Sequence, residues 1–209
     1  MWLSVLLAVL LSYLLGNING AVIVSRLIGH RDVREQGSGN AGLTNFLRQY
    51  SPSTALLVVI IDVLKAVAAC LIGKSLLAPY GYAQEGLMLG GLLVNLGHDF
   101  PALLGFRGGK GVLSGITAAF LADWRAALPV IAVFALCLAI TRYVSLSSVL
   151  GSLTFAVVFS LLHYENLPVT ATGVLLALLI VFMHRSNISR LLKGTEKRAT
   201  FSKFRKKKE

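Results

Sequence analysis

Residues 37–48 read Gly-Ser-Gly-Asn-Ala-Gly-Leu-Thr-Asn-Phe-Leu-Arg, and their chemistry suits the holding of an anion. Gly37, Gly39 and Gly42 fit left-handed turns, whereas Ser38, Asn40, Thr44, Asn45 and Arg48 bring hydroxyl, amide and guanidinium donors close together. A loop that had only to turn would leave that density of donors unexplained. A second loop, Gly108-Gly109-Lys110-Gly111, has the glycines and lysine of a nucleotide-binding turn. Gly111 stands where the magnesium-ligating Ser or Thr would be, and no strand pattern precedes the turn, so ATP hydrolysis is disfavoured. What survives is a phosphate cradle opening a helix at Val112, or, equally on spacing alone, an interfacial turn whose lysine meets lipid headgroups.

Other reactive side chains are sparse. His98 and His184 each end an apolar block, and Asn187 follows His184 at i+3, so a continuing helix would face both in one direction. Ser145, Ser147 and Ser148 open another block, where capping accounts for any one of them. No Gly-x-Ser-x-Gly elbow occurs, so hydroxyls here bind rather than attack. No His, Cys or carboxylate set has ligand spacing, so no metal is expected, and Cys70 and Cys137 lie inside apolar blocks rather than in a disulfide framework. Asp62 and Lys65, at i,i+3 inside a block, neutralise each other or mark a transport path.

The elements that must position these groups are written in the composition. Of 209 residues, 56% are hydrophobic and 14% charged, and the apolar ones fall in long blocks near 3–26, 54–73, 86–105, 124–140, 147–163 and 168–184. Each approaches the roughly 20 residues that cross a hydrocarbon core. A seventh block, 112–122, is short and forms either a tight hairpin through Asp123-Trp124-Arg125 or a re-entrant piece. The net charge of +11 does not indicate nucleic acid, because ten of the twenty Lys and Arg lie between Arg185 and Lys208, beyond the last block. The first block has no basic leader and no small-x-small cleavage pattern, so it reads as a retained helix.

Basic residues alternate between the joints. Arg26, Arg31, Arg34 and Arg48, then Arg107 and Lys110, then Arg142 and the tail lie on one side, against only Lys74 and Arg125 on the other. The positive-inside rule then gives an all-α integral membrane protein of about seven spans, N-terminus outside and C-terminus cytoplasmic. It splits into a transmembrane domain over 1–192 and a basic tail over 193–209. Every polar joint of interest falls on the cytoplasmic side, where four separated segments could share one pocket.

Those segments, in this order, resemble the bacterial membrane acyltransferases that move an acyl chain from acyl phosphate to glycerol 3-phosphate, the PlsY type. The matching pieces are Gly37 to Asn45, Gly97-His98-Asp99-Phe100-Pro101 running into Phe106 to Val112, Arg142 to Leu146, and His184 to Ile188 with Arg190 to Lys197. Leu113-Ser114 stands where the family usually has Ala-Thr, and Ser186 where an acidic residue is frequent.

The resemblance implies seven transmembrane helices in a bacterial inner membrane and direct transfer without an acyl-enzyme, yielding 1-acyl-glycerol 3-phosphate and inorganic phosphate. By position, Lys110 with Gly108, Gly109 and Gly111 would grip a phosphate of the acyl phosphate, and Ser38, Asn45 and Arg48 would face glycerol 3-phosphate. Gly39, Asn40, Thr44, His98 and Ser145 would line the binding site, while Ser148, His184 and Asn187 would orient the reacting groups. No cofactor is implied, and the proton of the attacking hydroxyl has His184, His98 and a substrate phosphate oxygen as candidate acceptors. A transporter of small organic anions or phosphate would also use intramembrane charge and basic loops, but it would more naturally show inverted repeats with paired helix breaks, and the break at Gly16–Gly20 has no counterpart.

Overall fold

The computed structural model describes residues 1–199, and ten α-helices and no strand are found among them. In chain order they are α1 Trp2–Gly16, α2 Gly20–Gly29, α3 Leu43–Phe46, α4 Pro52–Leu77, α5 Ala83–Asp99, α6 Val112–Ala122, α7 Trp124–Thr141, α8 Val144–Leu162, α9 Leu167–Met183 and α10 Arg185–Leu192. Among the described residues, five helical stretches are long and apolar enough to cross a membrane, and α9 with α10, bent by 54°, makes a sixth. The short block at 112–122 is α6; at 11 residues it rises about 16 Å and cannot cross by itself. It abuts α7 through Asp123 alone, whose carboxylate accepts the Arg125 N–H and caps α7.

The first block, expected as one helix over 3–26, is broken. Asn17 to Asn19 interrupt it, and the Asn19 side chain caps α2 by accepting the Val22 N–H at 3.0 Å. The three residues of the break each hold a different segment. Asn17 Oδ1 accepts the Leu103 N–H, the Ile18 carbonyl accepts from Lys65, and Asn19 Nδ2 donates to the Ala41 carbonyl.

Helices α1, α4 and α5 pack at backbone distance because small residues face one another. A Cβ on Gly73 of α4 would fall 2.1 Å from the Gly86 carbonyl of α5, and one on Gly97 of α5 would fall 2.1 Å from the Tyr13 carbonyl of α1. A larger apolar core, with Met88, Phe155, Phe159 and Leu176, joins α5, α8 and α9. A smaller one, with Val22, Val33, Phe46 and Val58, lies under the 37–48 loop and gives it a firm floor.

The tail expected over 193–209 begins packed against the bundle. The chain past α10 turns back onto α8: Ala199 N–H donates to the Arg142 carbonyl at 2.7 Å, and the Arg198 guanidinium lies 5.4 Å from the Tyr143 ring centre. The Lys206–Lys208 run of the expected basic tail lies outside the described residues.

Candidate active site

The four polar segments meet at one end of the bundle. Ala41 N–H donates to the Gly108 carbonyl at 3.3 Å, and Arg34 Nη1 donates to the carbonyls of Leu104 and Arg107, which joins the first loop to the second. Lys110 Nζ donates to Asn187 Oδ1, joining the second loop to α10. Glu196 then accepts from Asn187 Nδ2 at 2.7 Å, Ser145 Oγ at 2.8 Å and Arg190 Nε at 2.7 Å, which closes the ring onto α8.

The first loop is shaped by two side chains. Asp32 takes the Arg34 backbone N–H and both an Nε and an Nη2 proton of Arg34, together with one from Arg26. The Arg34 hydrogen bond, outweighing burial and joined by Arg26, holds the Asp32 carboxyl down at about 2. Asn45 is buried at 2% exposure; its Oδ1 accepts the Ser38 N–H, and its Nδ2 faces the carbonyls of Val33, Gln36 and Asn40. Asn45, expected to face substrate, is engaged here as the loop's internal staple. Gly39 likewise donates its N–H to the Gln36 carbonyl. Ser38, Thr44 and Arg48 are exposed, Asn40 is half-buried, and none of these four side chains bonds another described residue strongly enough to tie it up.

The second loop also departs from expectation. Gly108 N–H donates to the Asp99 carbonyl and Gly109 N–H to the His98 carbonyl, so these two amides close off the end of α5 rather than cradle an anion. A Cβ on Gly109 would lie 2.0 Å from His98 Nε2, and one on Gly111, at φ +63°, would lie 2.1 Å from Asn95 Oδ1. The glycines are there because the turn presses onto α5. The groups of this loop left open are the Lys110 ammonium and the first turn of α6, whose amides have no side-chain cap. His98, expected to line the site, is buried behind Gly109 with its Nδ1 2.8 Å from Lys65 Nζ.

On α8, the Ser147 and Ser148 hydroxyls donate to the carbonyls of Tyr143 and Val144 one turn back. Ser148 thus keeps only lone pairs for another partner. His184 sits at the 54° bend between α9 and α10, so the helix expected to carry it with Asn187 does not run straight; both are nevertheless buried, at 3% and 7% exposure. His184 Nδ1 is 2.8 Å from the Ile180 carbonyl, which can only accept, so the proton is on Nδ1 and the Nε2 lone pair is free.

Two residues that the loop chemistry did not single out, Arg190 and Glu196, complete the cluster. Burial alone would raise the Glu196 carboxyl, but hydrogen bonds from Asn187, Ser145 and Arg190 hold it below its ordinary value. Burial, followed by the charge of Arg190, brings the Lys110 ammonium down to about 8; Arg48 adds to the fall, and Glu196 opposes it. Lys110 and Arg190 thus share the neighbourhood of one carboxylate, which Arg190 contacts directly. A groove of about 570 Å³ between Gly39 and Arg107 lies alongside, yet its Arg26 and Arg34 are already paired with Asp32.

Proteins of a known family are similar to this chain in sequence and in fold. A family model described as Glycerol-3-phosphate acyltransferase matches residues 6–194. A protein of that name from Thermoanaerobacter sp. (strain X514) is 40% identical over 190 residues, which are 91% of this chain and 93% of the relative. Glycerol-3-phosphate acyltransferase 1 of Deinococcus radiodurans is 39% identical over 198 residues, 95% of this chain and 97% of the relative. A crystal structure of PlsY (YgiH), an integral membrane glycerol 3-phosphate acyltransferase in its glycerol 3-phosphate form, superposes with a TM-score of 0.85 at 32% identity, covering 96% of this chain and 98% of that one. Its lysophosphatidic acid form gives 0.81 at 31% identity, covering 94% and 96%.

Proposed function

Because the chain belongs to the glycerol-3-phosphate acyltransferase family, we propose that it transfers a fatty acyl group from acyl phosphate to the sn-1 hydroxyl of glycerol 3-phosphate in the bacterial inner membrane, with the site on the cytoplasmic side. The observation that carries this reading is Lys110, joined through Asn187 to Glu196 and Arg190, its ammonium brought down to about 8 by burial and then by the charge of Arg190. Such a cluster is relieved by a bound dianion.

The chemistry asks little of the protein beyond alignment and charge. Acyl phosphate is a mixed anhydride: the glycerol hydroxyl oxygen bonds to the carbonyl carbon, the bond from that carbon to the phosphate oxygen breaks, and phosphate leaves with the electron pair. Lys110 and the open first turn of α6 suit the leaving phosphate, and exposed Ser38 and Arg48 suit the phosphate of the acceptor, with Arg48 able to make a bidentate contact. Of the three proton acceptors considered above, His98 is disfavoured because its Nδ1 faces an ammonium. The His184 Nε2 lone pair and the substrate's own phosphate oxygens remain. His184→Gln separates them: a loss confined to KM assigns the proton to substrate phosphate, whereas a loss of kcat of about 10²-fold or more assigns it to His184.

The test is direct. Purified protein supplied with acyl phosphate and glycerol 3-phosphate, with excess chelator, is expected to release inorganic phosphate and 1-acyl-glycerol 3-phosphate in equal amounts. Dependence on acyl-CoA, abolition by the chelator, or uptake of unaltered glycerol 3-phosphate into liposomes would each overturn the reading. Labelling of cysteines placed at Ser38 and Lys110 from the cytoplasmic side only is the expected result for orientation.

A further inference from the structure

Behind the Gly109–Lys110 turn lies a buried ionic cluster for which the chemistry above has no use. Lys65 Nζ is 2.7 Å from Asp62 Oδ1, 2.6 Å from the Ile18 carbonyl and 2.8 Å from His98 Nδ1. The Lys65, Asp62 and His98 side chains are only 2%, 3% and 6% exposed. An ammonium has three protons, and here it has three acceptors, so nothing of Lys65 is left to touch a substrate.

An ammonium can only donate, so His98 Nδ1 must accept and the ring proton must be on Nε2. That bond fixes both the tautomer and the tilt of the ring. The Nε2 corner of the ring in turn meets Gly109 so closely that a Cβ there would fall 2.0 Å from Nε2, and the Gly109 N–H is held by the His98 carbonyl at 3.0 Å. The next residue is Lys110, which reaches Asn187 on α10.

We infer that Lys65 is a positioning residue for acyl transfer: it locks the His98 ring, and the ring fixes where Gly109 passes and therefore where the Lys110 ammonium stands. The inference rests on the function proposed above in one respect, that Lys110 is a phosphate-binding cation. Stability does not by itself account for the cluster, since buried ion pairs are often replaced by apolar residues of similar size with no loss of stability. A displacement of about 1 Å at a reacting centre, by contrast, lowers rates by about 10²-fold.

The test replaces both charges at once, Asp62→Leu with Lys65→Met, so that neither member of the pair is left unpaired. The expected result is a thermal midpoint at or above that of the unaltered protein, with kcat/KM for glycerol 3-phosphate lowered by about 10²-fold. A kcat/KM within threefold would reduce the cluster to charge neutralisation and overturn the inference. Should the double variant not fold, His98→Asn decides the matter. It keeps an acceptor for Lys65 but takes the ring away from Gly109, so unchanged kcat/KM in that variant also overturns the inference, and a loss of at least about tenfold in folded protein supports it.

A second readout needs no substrate, so its failure is distinct from failure of the proposed reaction. In protein labelled with ¹⁵N in its histidine rings, with His98→Asn used to assign the signal, His98 is expected to be neutral and protonated on Nε2. The pattern is expected to change in Lys65→Met. A His98 protonated on Nδ1, or one indifferent to Lys65→Met, sinks the proposal.

Discussion

Lys110 donates its ammonium proton to the side-chain oxygen of Asn187, a residue 77 positions further along the chain. The bond aims the cation across the gap between α6 and α10 before any substrate arrives, which is the preorganisation that electrostatic catalysis needs. Lys110→Ala is expected to lower kcat/KM by at least about 10²-fold while the thermal unfolding midpoint stays within a few degrees. Product formation assayed beside a thermal melt checks this, and near-normal turnover would leave the loop a structural turn.

Lys110 also predicts the alkaline limb of the pH profile. With its ammonium brought to about 8 by burial and by Arg190, the side chain is cationic below that pH and neutral above it. The kcat/KM for glycerol 3-phosphate is therefore expected to fall as pH rises through about 8, and the limb of kcat is expected at higher pH, because a bound dianion stabilises the protonated lysine. Lys110→Arg, which stays charged, is expected to abolish this limb, whatever its rate. The sign for stability runs the other way: between about 8 and the ordinary lysine value of 10.5 the unfolded chain holds more of this proton, so the burial penalty, full below 8, is relieved as pH rises.

Glu196 binds three donors at once, and no single replacement serves all of them. Glu196→Gln puts an NH₂ where one of Ser145, Asn187 or Arg190 needs an acceptor, and a loss of about 1–3 kcal/mol is expected. Because Asn187 also loses its tether, activity is expected to fall with stability. Chemical denaturation and turnover measured on the same preparation check both, and an unchanged rate in a destabilised protein would separate the tail from catalysis.

Two glycines with nearly the same backbone angle give an internal control. Gly105 at φ +66° has open space where a Cβ would go, whereas Gly111 at φ +63° would drive that Cβ to 2.1 Å from Asn95 Oδ1. Gly105→Ala is expected to lose only the left-handed backbone preference, about 1–2 kcal/mol. Gly111→Ala must in addition displace either the Asn95 side chain, which its bond to the Gly91 carbonyl holds in place, or the start of α6 and with it Lys110. Turnover is expected to survive the first change and not the second, as comparison of the two purified variants would show.

The membrane character and the polar segments were legible in the sequence because long apolar blocks and clustered donors are local signals. Lys110 and Asn187 could be picked out this way, and the structure brings them into contact. Asn45 illustrates the limit: an amide among glycines reads as a ligand for an anion, and only burial reveals it as a staple for its own loop. Gly108 and Gly109 mislead in the same way, since their amides are paired with the end of α5, a partner that spacing does not disclose. Glu196 fell inside a matching motif but had no chemistry of its own to single it out; its donors Asn187 and Ser145 lie 9 and 51 positions away. The break at Asn17 to Asn19 was visible as an interruption, but its three partners come from three separate stretches of chain.

The same interruption of the first helix constrains biosynthesis. Asn17 waits for Leu103, 86 positions later, and the ammonium of Lys110 waits for a residue made after another 77. A ribosome that has inserted the first five helices has therefore produced a bundle whose reactive end is still unassembled. A chain that ends before Asn187 thus carries the donors of the first two loops without the partner that Lys110 meets.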